Sequence, residues 1–553
     1  MRKSILSLSI ATMIGSMGAA NAGVVVAVAA QGATTNSGIG WTGLQPLTGA
    51  AQATSLVLSA GGVGTALITP YFTAQGGNAT VISLVNVDPT NGKAVKVRFR
   101  GGSNSDDILD FQVYMSPNDV WNGMVSKNAS TGIAEFTTTD KSCTLPALTS
   151  GVAQPFVTAR LPSYSTATEL ANGTSEGYVE IFNMADIPVN TNTNSIYQSI
   201  LHTAGTPRNC ASASLNATFA ADATNESAAA FLGFAAPTGM LFGNWTIINV
   251  PQTTTFSGSM TAIRAMVGTA DGYSNYTLFP QSATAAPTPE NSSADPLFNS
   301  SISYTSMPTT GATAGLTSAA SIAVTAAFYD LPDLSTPMLV AGAGTTSGPR
   351  GQAFSLTSAL AVNSISNEYA TEASTNAQTD WVFSMPTRRY SVAFAYGTSV
   401  ATGRRLYSSV ADATGAAPVT QFFASSNTTL SGDRICVAAT GQKFYDRDET
   451  SKTSGAVFSP GSVATFNFCG ETSVTTFGGK ASVLGAVLAK ADTGSSAFVN
   501  GWGVVNTPNP AGAGSVNIGL PIIGSSFIKL TNAAASAGTS GTYGITSAHR
   551  FSK

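Results

Sequence analysis

Hydrophobic and polar positions alternate along this chain over short segments that turn residues separate. In residues 94–100 (AVKVRFR), Val and Phe alternate with Lys and Arg, which is the two-residue period of a strand with one face in the core and one in water. Segments 80–87 (TVISLVNV) and 108–115 (ILDFQVYM) are also strand-like, and 88–93 (DPTNGK) supplies turn residues between the first two. These segments predict an antiparallel meander.

Strand-like segments continue to the end of the chain, whereas helical patterns are few. The later strand candidates are residues 154–161, 177–184, 245–250, 390–396, 434–439, 463–468 and 522–530. The best helical candidates are 354–369 (FSLTSALAVNSISNEY) and 316–329, and their Asn, Ser and Val residues weaken both. Many short strands with Gly, Pro, Asn and Ser turns predict a mainly β protein of several antiparallel β-sandwich-like domains with a few inserted helices.

Composition divides the 553 residues into five segments. We predict a signal peptide at 1–22, a Gly/Ala/Thr-rich arm at 23–65 and a β-rich domain at 66–235. A second β-rich domain with helical insertions follows at 236–400, and a C-terminal β-rich domain at 401–553.

The first 22 residues have the pattern of a secretory signal. Arg2 and Lys3 precede an apolar run over 5–17, and Ala20-Asn21-Ala22 forms an A-x-A cleavage site before Gly23. The run is shorter than the roughly 20 residues of a membrane-spanning helix, so cleavage is favoured over a membrane anchor. The sequence therefore predicts an exported protein.

The arm carries no charged residue and begins with a β-prone stretch of strand length, residues 23–30 (GVVVAVAA). This stretch is favoured as an ordinary first strand or a flexible leader. The alternative is that Val24, Val25, Val26 and Val28 add a strand to a neighbouring copy of the chain.

Charged residues are scarce. Asp, Glu, Lys and Arg make up 10% of the chain, against about 25% in an ordinary soluble domain. A surface of hydroxyls, amides and backbone is easily ordered against a copy of itself, because little side-chain entropy or charge desolvation opposes contact. With a net charge of −3 and no basic cluster, nucleic-acid binding is disfavoured.

The four cysteines form two pairs along the chain. Of the three possible connectivities, Cys143 with Cys210 and Cys436 with Cys469 close the shortest loops. Because there is no CxxC spacing and only two histidines are present, a zinc site would lack ligands. The cysteines therefore predict disulfides in an oxidising compartment.

Clusters of carboxylates are the most plausible metal sites. Asp106, Asp107 and Asp110 place oxygens at closely spaced positions, and calcium takes six to eight oxygen ligands. A solvated turn beside a strand is the favoured alternative. Residues 446–449 (DRDE) are interpreted as a salt-bridged loop, and 330–333 (DLPD) as turn and cap residues.

No catalytic residue is predicted, and the chain is not expected to be an enzyme. Residues 173–177 (GTSEG) fit the G-x-S-x-G pattern around Ser175. That motif requires a strand before the serine and a helix after it, and here a strand-like segment follows. Nothing in the sequence places His202 or His549 beside a nucleophile.

The tryptophans could form a platform for carbohydrate, but core packing is the stronger interpretation because Trp is usually largely buried. The five are Trp41, Trp121, Trp245, Trp381 and Trp502.

Two blocks of the chain contain distinctive short motifs. The first block comprises 71–80 (YFTAQGGNAT), 93–100, 110–111 and 116–121 (SPNDVW), and the second 367–369 (NEY), 379–382 (TDWV) and 386–389 (PTRR). In this order the blocks resemble exported proteobacterial cell-surface proteins. The resemblance implies a cell-surface location and, with this composition, an S-layer-like array. It supplies no catalytic residues.

The leading hypothesis is a secreted structural protein that packs with copies of itself into a layer on a bacterial cell, with calcium holding loops at the contacts. The layer would be anchored to the outer membrane or to lipopolysaccharide. The alternatives are a filament subunit that polymerises by strand addition, an outer-membrane β-barrel and a secreted hydrolase.

Overall fold

The structure is a computed structural model that carries no ligand or partner chain. It describes residues 51, 53–212, 215, 232–274, 304–307, 321–322, 349–396, 399–400, 404–408, 422–423, 427–439, 441–448, 451–452, 467–488, 490–492, 500–507, 519–536 and 539–553.

The described N-terminal half consists mainly of strands. These are β1 Ser55–Leu58, β2 Ala66–Thr73, β3 Asn78–Asn86, β4 Gly92–Gly101, β5 Asp107–Met115, β6 Val120–Lys127, β7 Ala134–Thr137, β8 Cys143–Leu145, β9 Gln154–Pro155, β10 Glu176–Ile187, β11 His202–Thr203, β12 Thr206–Pro207, β13 Leu241–Asn249, β14 Thr254–Ser259, β15 Thr261–Val267 and β16 Ala270–Asp271. Helices α1 (Ala167–Thr174) and α2 (Ile196–Ile200) interrupt them.

The described C-terminal half also consists mainly of strands, and it contains helix α3 (Pro349–Leu360). The strands are β17 Tyr304–Met307, β18 Ser321–Ile322, β19 Ala361–Val362, β20 Ser364–Ala370, β21 Gln378–Ser384, β22 Val392–Ala395, β23 Arg404–Ser408, β24 Thr428–Ser431, β25 Arg434–Ala438, β26 Gly441–Asp446, β27 Ser451–Lys452, β28 Asn467–Cys469, β29 Thr472–Thr476, β30 Lys490–Asp492, β31 Asn500–Asn506, β32 Leu520–Pro521, β33 Ile523–Ser536, β34 Thr539–Ala548 and β35 Arg550–Ser552.

Two large sheets form a sandwich in the N-terminal half. Sheet I has the order β1-β15-β2-β10-β4-β5-β8, with β16 paired to β15, and sheet II has the order β14-β13-β3-β6-β7-β9. Their inner faces pack aromatic rings together: the Phe111 and Trp121 centroids are 5.6 Å apart, and those of Phe99 and Phe136 are 5.5 Å apart. This buried aromatic surface is the main source of the sandwich's stability.

A second sandwich follows in the C-terminal half. Sheet III has the order β30-β29-β21-β33-β34 and sheet IV the order β27-β26-β31-β20-β35. Trp381 of sheet III lies 5.8 Å from Phe444 of sheet IV, and Tyr369 stacks on Phe477 at 4.7 Å. The prediction of a mainly β, sandwich-like fold with few helices is therefore confirmed.

In sheet III, strand β21 is buried on both faces. Trp381 and Phe383 of β21 belong to the core shared with sheet IV, whereas Val382 between them belongs to the core of sheets I and II. Phe527 of β33 likewise packs at 5.7 Å from Trp245 of sheet II. The two sandwiches therefore have separate cores on the two faces of sheet III, which contributes side chains to both.

Strand β4 differs from the half-exposed strand that its alternation predicts, because all ten of its residues are buried. One face, with Val97, packs against sheet II, as expected. The basic face carries Lys96, Arg98 and Arg100, and the chain's own C-terminal half and neighbouring carboxylates cover it. Its charges are therefore neutralised inside the protein instead of by water.

The sheets do not follow the predicted domain boundaries. β13 and β15, which follow residue 235, pair with β3 and β2 of the first domain. β21, which precedes residue 400, pairs with β29 and β33 of the third. Strand pairing therefore crosses both boundaries.

Neither predicted helix is observed as predicted: of 316–329 the structure describes Ser321–Ile322, which form strand β18. α3 ends at Leu360, and the second half of the predicted 354–369 helix is instead strand β20. Among the described residues, no helix has the length and apolar character needed to cross a bilayer.

Candidate functional site

Both predicted disulfides are present. Cys143 of β8 bonds to Cys210, and Cys436 of β25 bonds to Cys469 of β28, the residue directly opposite it in the sheet. Bonded cysteines are compatible with an extracellular protein.

The aspartates of the predicted calcium site lie beside a hydroxyl or beside basic side chains. The Asp106 carboxylate is buried and accepts from the Tyr396 hydroxyl at 2.8 and 2.7 Å. On β5, Asp110 Oδ2 lies 3.1 Å from Lys96 Nζ, and Asp107 Oδ2 lies 4.0 Å from Arg98 Nε. Asp107 and Asp110 therefore both lie beside Arg98 Nε, whereas Asp106 has Tyr396 as its partner.

Burial determines the electrostatics of Asp106. It raises the pKa of this carboxyl to about 7, against the lowering effect of the Tyr396 hydrogen bond, and Asp433 raises it further. Across the described ranges, no group of three or more His, Cys, Asp or Glu side chains is placed to hold a metal ion. The solvated turn is wrong for Asp106, and calcium binding stays a prediction.

Glu180 of β10 accepts from two arginines at the junction of the sandwiches. Arg389 donates from Nη1 and Nη2 to the two carboxylate oxygens at 2.5 and 3.1 Å. Arg100 of β4 donates from Nε at 3.3 Å. All three side chains are buried. A bidentate pair fixes the distance and the orientation between the guanidinium and the carboxylate. The Arg389–Glu180 pair therefore positions the segment before β22 against sheet I.

Glu471, between β28 and β29, completes this arrangement from the C-terminal half. Arg388 Nε donates to one of its oxygens. The other accepts from the Arg389 backbone N–H at 3.1 Å and from Ser105 Oγ at 2.5 Å. Ser105 precedes β5, so the carboxylate connects the two halves of the chain directly.

These contacts define the junction cluster, which consists of Arg100, Glu180, Arg388, Arg389 and Glu471. Its side chains are buried, so removing one partner leaves another buried and unpaired, at a cost of about 3–5 kcal/mol. The cluster therefore makes the relative placement of the two sandwiches specific.

Sequence reasoning missed the junction cluster. The signal that could have pointed to it is the adjacent pair Arg388-Arg389 in a chain with only 25 basic residues, together with one acid in the apolar strand 177–184 (GYVEIFNM). Nothing local shows that Glu180 and Arg389 meet, since they are separated by 209 positions.

Ser175 is not in a nucleophile elbow. It follows helix α1 and precedes strand β10, the reverse of the order the motif requires. Its side chain is buried and donates to the Ala171 carbonyl at 2.7 Å. Among the described residues, neither histidine is hydrogen-bonded to it: His202 Nδ1 lies 3.1 Å from Ser116 Oγ, and His549 bonds elsewhere.

His549 is a core histidine. Its Nε2 donates to the Val382 carbonyl at 2.8 Å, its Nδ1 accepts from Asn367 Nδ2 at 2.9 Å, and its ring stacks on Phe383 at 4.8 Å. Burial lowers the pKa of His549 to about 4. The imidazole is therefore neutral near pH 7, with a structural arrangement of hydrogen bonds.

Tryptophans 121, 245 and 381 are buried, as core packing predicts. Trp502 differs: it is 45% exposed on the outer face of sheet IV and stacks on Tyr445 at 4.5 Å. Lys443 Nζ lies 4.9 Å from the centre of the Tyr445 ring. In the part of the chain that the structure describes, only Trp502 retains the exposure that a carbohydrate platform needs.

Several predicted positions lie outside the described residues. They are Val24, Val25, Val26 and Val28 of the arm, the signal peptide, Trp41, Asp330, Asp333 and Glu449. Of the remaining 446–449 loop, Arg447 Nη2 lies 3.8 Å from Glu372 Oε2, which agrees with a salt-bridged loop.

No protein-family model, curated protein or solved structure matches the chain.

Proposed function

We propose that this protein is an exported structural subunit that assembles with copies of itself into a layer on the surface of a bacterial cell. The observation that carries the proposal is the location of its few charges. At least thirteen of the 53 charged residues are buried among the described residues: Asp88, Lys93, Lys96, Arg98, Arg100, Asp106, Glu176, Glu180, Asp186, Asp380, Arg388, Arg389 and Glu471.

Because these charges are buried, at most 40 of the 53 charged side chains remain for the surface. Long charged side chains normally oppose protein contact through their rotamer entropy and hydration. A surface of Ser, Thr, Asn and Gly lacks this opposition. Many weak contacts between identical copies then become strong by repetition.

Rigidity supports the same function. The packing of sheet III against the core of sheets I and II, together with the junction cluster, fixes one sandwich relative to the other. A subunit that does not change shape loses little conformational entropy when it enters an array. Each copy can therefore present its contact surfaces at constant angles.

Export and anchoring belong to the proposal as well. The N-terminal signal pattern and the two disulfides support an oxidising, extracellular location. The outer membrane or lipopolysaccharide would hold the layer, with calcium stabilising contacts between copies. A filament in which residues 23–30 add a strand to the next copy is the second candidate.

Electron microscopy of the purified protein, with calcium and with a chelator, tests the proposal. Ordered sheets are expected, and chelation should loosen the lattice without unfolding the subunit if calcium acts at contacts. An unchanged lattice in chelator would remove the calcium role. Deleting residues 23–30 should abolish a filament but spare a laterally packed sheet, and dispersed monomers under all conditions would contradict self-assembly.

A further inference from the structure

Strand β34 is the edge strand of sheet III, and within the described residues it pairs with β33 alone. An edge strand offers N–H and C=O groups to any second strand, so proteins usually protect it with charges, proline or a covering element. No charged residue or proline occurs between Lys529 and Arg550. Tyr543 and Ile545 of this strand are 60% and 43% exposed.

The register shows which backbone groups point outward. His549 N donates to the Gly524 carbonyl, and Ser525 lies opposite Ala548. Because hydrogen-bonding direction alternates along an antiparallel pair, odd-numbered residues of β34 face β33. The N–H and C=O groups of Thr542, Gly544 and Thr546 therefore face away from the sheet.

One face of β34 packs against strand β14 of sheet II. A side chain at Gly544 would lie 2.2 Å from the Thr255 carbonyl oxygen and 3.0 Å from the Phe256 ring. β14 therefore packs against the face of β34 that carries Gly544. Tyr543 and Ile545 project from the opposite face, so the packing that fixes the strand leaves both of them exposed.

The sequence around Gly544 is complementary to itself. In an antiparallel pair of two β34 strands centred on Gly544, Thr542 lies opposite Thr546 and Tyr543 lies opposite Ile545. Thr–Thr and aromatic–β-branched pairs are among the favourable cross-strand pairs. The same centring places the outward-facing backbone groups of 542, 544 and 546 opposite one another.

We propose that β34 is a homotypic contact, at which two copies of this chain pair antiparallel across a twofold axis centred on Gly544. The proposal rests on the proposed self-assembly and names one of its contact surfaces. A twofold contact uses the same patch on both copies, which the pattern Thr-Tyr-Gly-Ile-Thr satisfies. Joining the edges extends sheet III of one copy into that of the next.

Cross-linking between two single variants tests the register. Tyr543→Cys and Ile545→Cys are purified separately and then mixed under mild oxidation. In the proposed pair, position 543 of one copy faces position 545 of the other, at a separation a disulfide can span. Positions 543 and 543 of the two copies are diagonal and farther apart. We expect covalent dimer in the mixture well above either variant alone.

Exposed Val152 provides the matched control. A mixture of Tyr543→Cys with Val152→Cys should give no more dimer than each alone. Equal cross-linking in all samples, or none in the 543 and 545 mixture, would overturn the β34 contact.

A charge on the edge tests its energetic role. Ile545→Lys should weaken association at least about tenfold, equivalent to about 1.4 kcal/mol, whereas Val152→Lys should not. Since both side chains are exposed, the variants should melt like the unmodified protein. The double variant Tyr543→Lys/Ile545→Glu places opposite charges across the pair and should recover part of the affinity.

The outcomes separate this inference from the proposed function. Arrays that form normally with Ile545→Lys would exclude β34 as a contact and leave self-assembly standing. Cross-linked dimers without arrays would support the β34 contact and contradict the layer. An unmodified protein that is monomeric in every condition would contradict both.

Discussion

Asp106 and His549 are buried titratable side chains whose pKa values shift in ways that oppose each other's effect on stability. The pKa of Asp106 rises from 3.8 to about 7, and that of His549 falls from 6.5 to about 4. Both shifts arise mainly because burial favours the neutral form. Between about pH 4 and pH 6.5 their contributions to the pH dependence of unfolding therefore partly cancel, and single substitutions should expose each one.

Asp106→Asn should remove a loss of stability that occurs as pH rises. Between pH 4 and 7, folded Asp106 binds its proton more tightly than unfolded Asp106, so its contribution falls with increasing pH. We expect the stability of the variant, relative to the unmodified protein, to increase across this window. Urea denaturation from pH 4 to 8 measures this, with exposed Asp448→Asn as the control. A pH-independent difference would contradict the shift.

His549→Phe should change the pH dependence in the opposite sense. Below pH 6.5 the unfolded histidine gains a proton, whereas the folded one remains neutral until about pH 4. The unmodified protein therefore loses stability as pH falls through this range. The variant loses two hydrogen bonds, but its deficit should shrink from pH 6.5 to 4. His202→Gln is the comparison, and a deficit that grows on acidification would contradict the prediction.

At the scale of elements, a strand that lies between two cores has buried side chains on both faces. β21 carries Trp381 and Phe383 toward sheet IV and Val382 toward the first sandwich. Glycines allow its neighbours to approach: a side chain at Gly503 of β31 would lie 2.3 Å from Phe444 and 3.0 Å from Trp381. The close approach of sheets III and IV at this point therefore requires glycine at position 503.

Gly503→Ala should destabilise the protein by about 1–3 kcal/mol, because the added methyl group overpacks the core. Gly441→Ala in adjacent strand β26 is the matched control, since its nearest neighbouring atom lies 3.9 Å away. That substitution should be close to neutral or slightly stabilising. Guanidinium denaturation of both variants measures the difference, and equal stabilities would show that sheets III and IV can separate at little cost.

At the scale of the whole molecule, buried charge joins segments that are distant in the sequence. Glu180 pairs with Arg389, and Glu471 accepts from Ser105 across 366 positions. Hydrophobic packing alone tolerates rearrangement, whereas a bidentate pair satisfies its hydrogen bonds in one geometry. The cluster therefore favours one arrangement of the sandwiches over similar compact alternatives.

Glu180→Gln should cost about 3–5 kcal/mol, because Arg389 and Arg100 would stay buried without a compensating charge. Asp271→Asn breaks the solvent-exposed pair of Arg264 Nε and Asp271 Oδ1, 2.8 Å apart, and should cost less than about 1 kcal/mol. Chemical denaturation compares the two. If the losses are similar, the junction cluster does not stabilise the fold more than a surface pair.

The features that depend on residues close together in the sequence could be predicted from the sequence. A two-residue alternation with turn residues indicates strands, so the β class and the positions of strands such as β3, β4 and β5 followed from the sequence. Cysteine spacing gave the right disulfides, since short loops close at low entropic cost. Local pattern failed at 354–369, where apolar residues at helical spacing continue into β20, whose alternation serves the sheet IV core.

The tertiary structure decided what covers each strand. The sequence by itself determined that Lys96, Arg98 and Arg100 share one face of β4, but period alone does not say whether water or protein neutralises them. Asp110 of the adjacent strand lies beside Lys96 and Arg98, and Glu180, 80 positions along the chain, accepts from Arg100. Because desolvating a charge is compensated only by partners that folding brings together, local sequence could identify the face and only the assembled sheets could bury it.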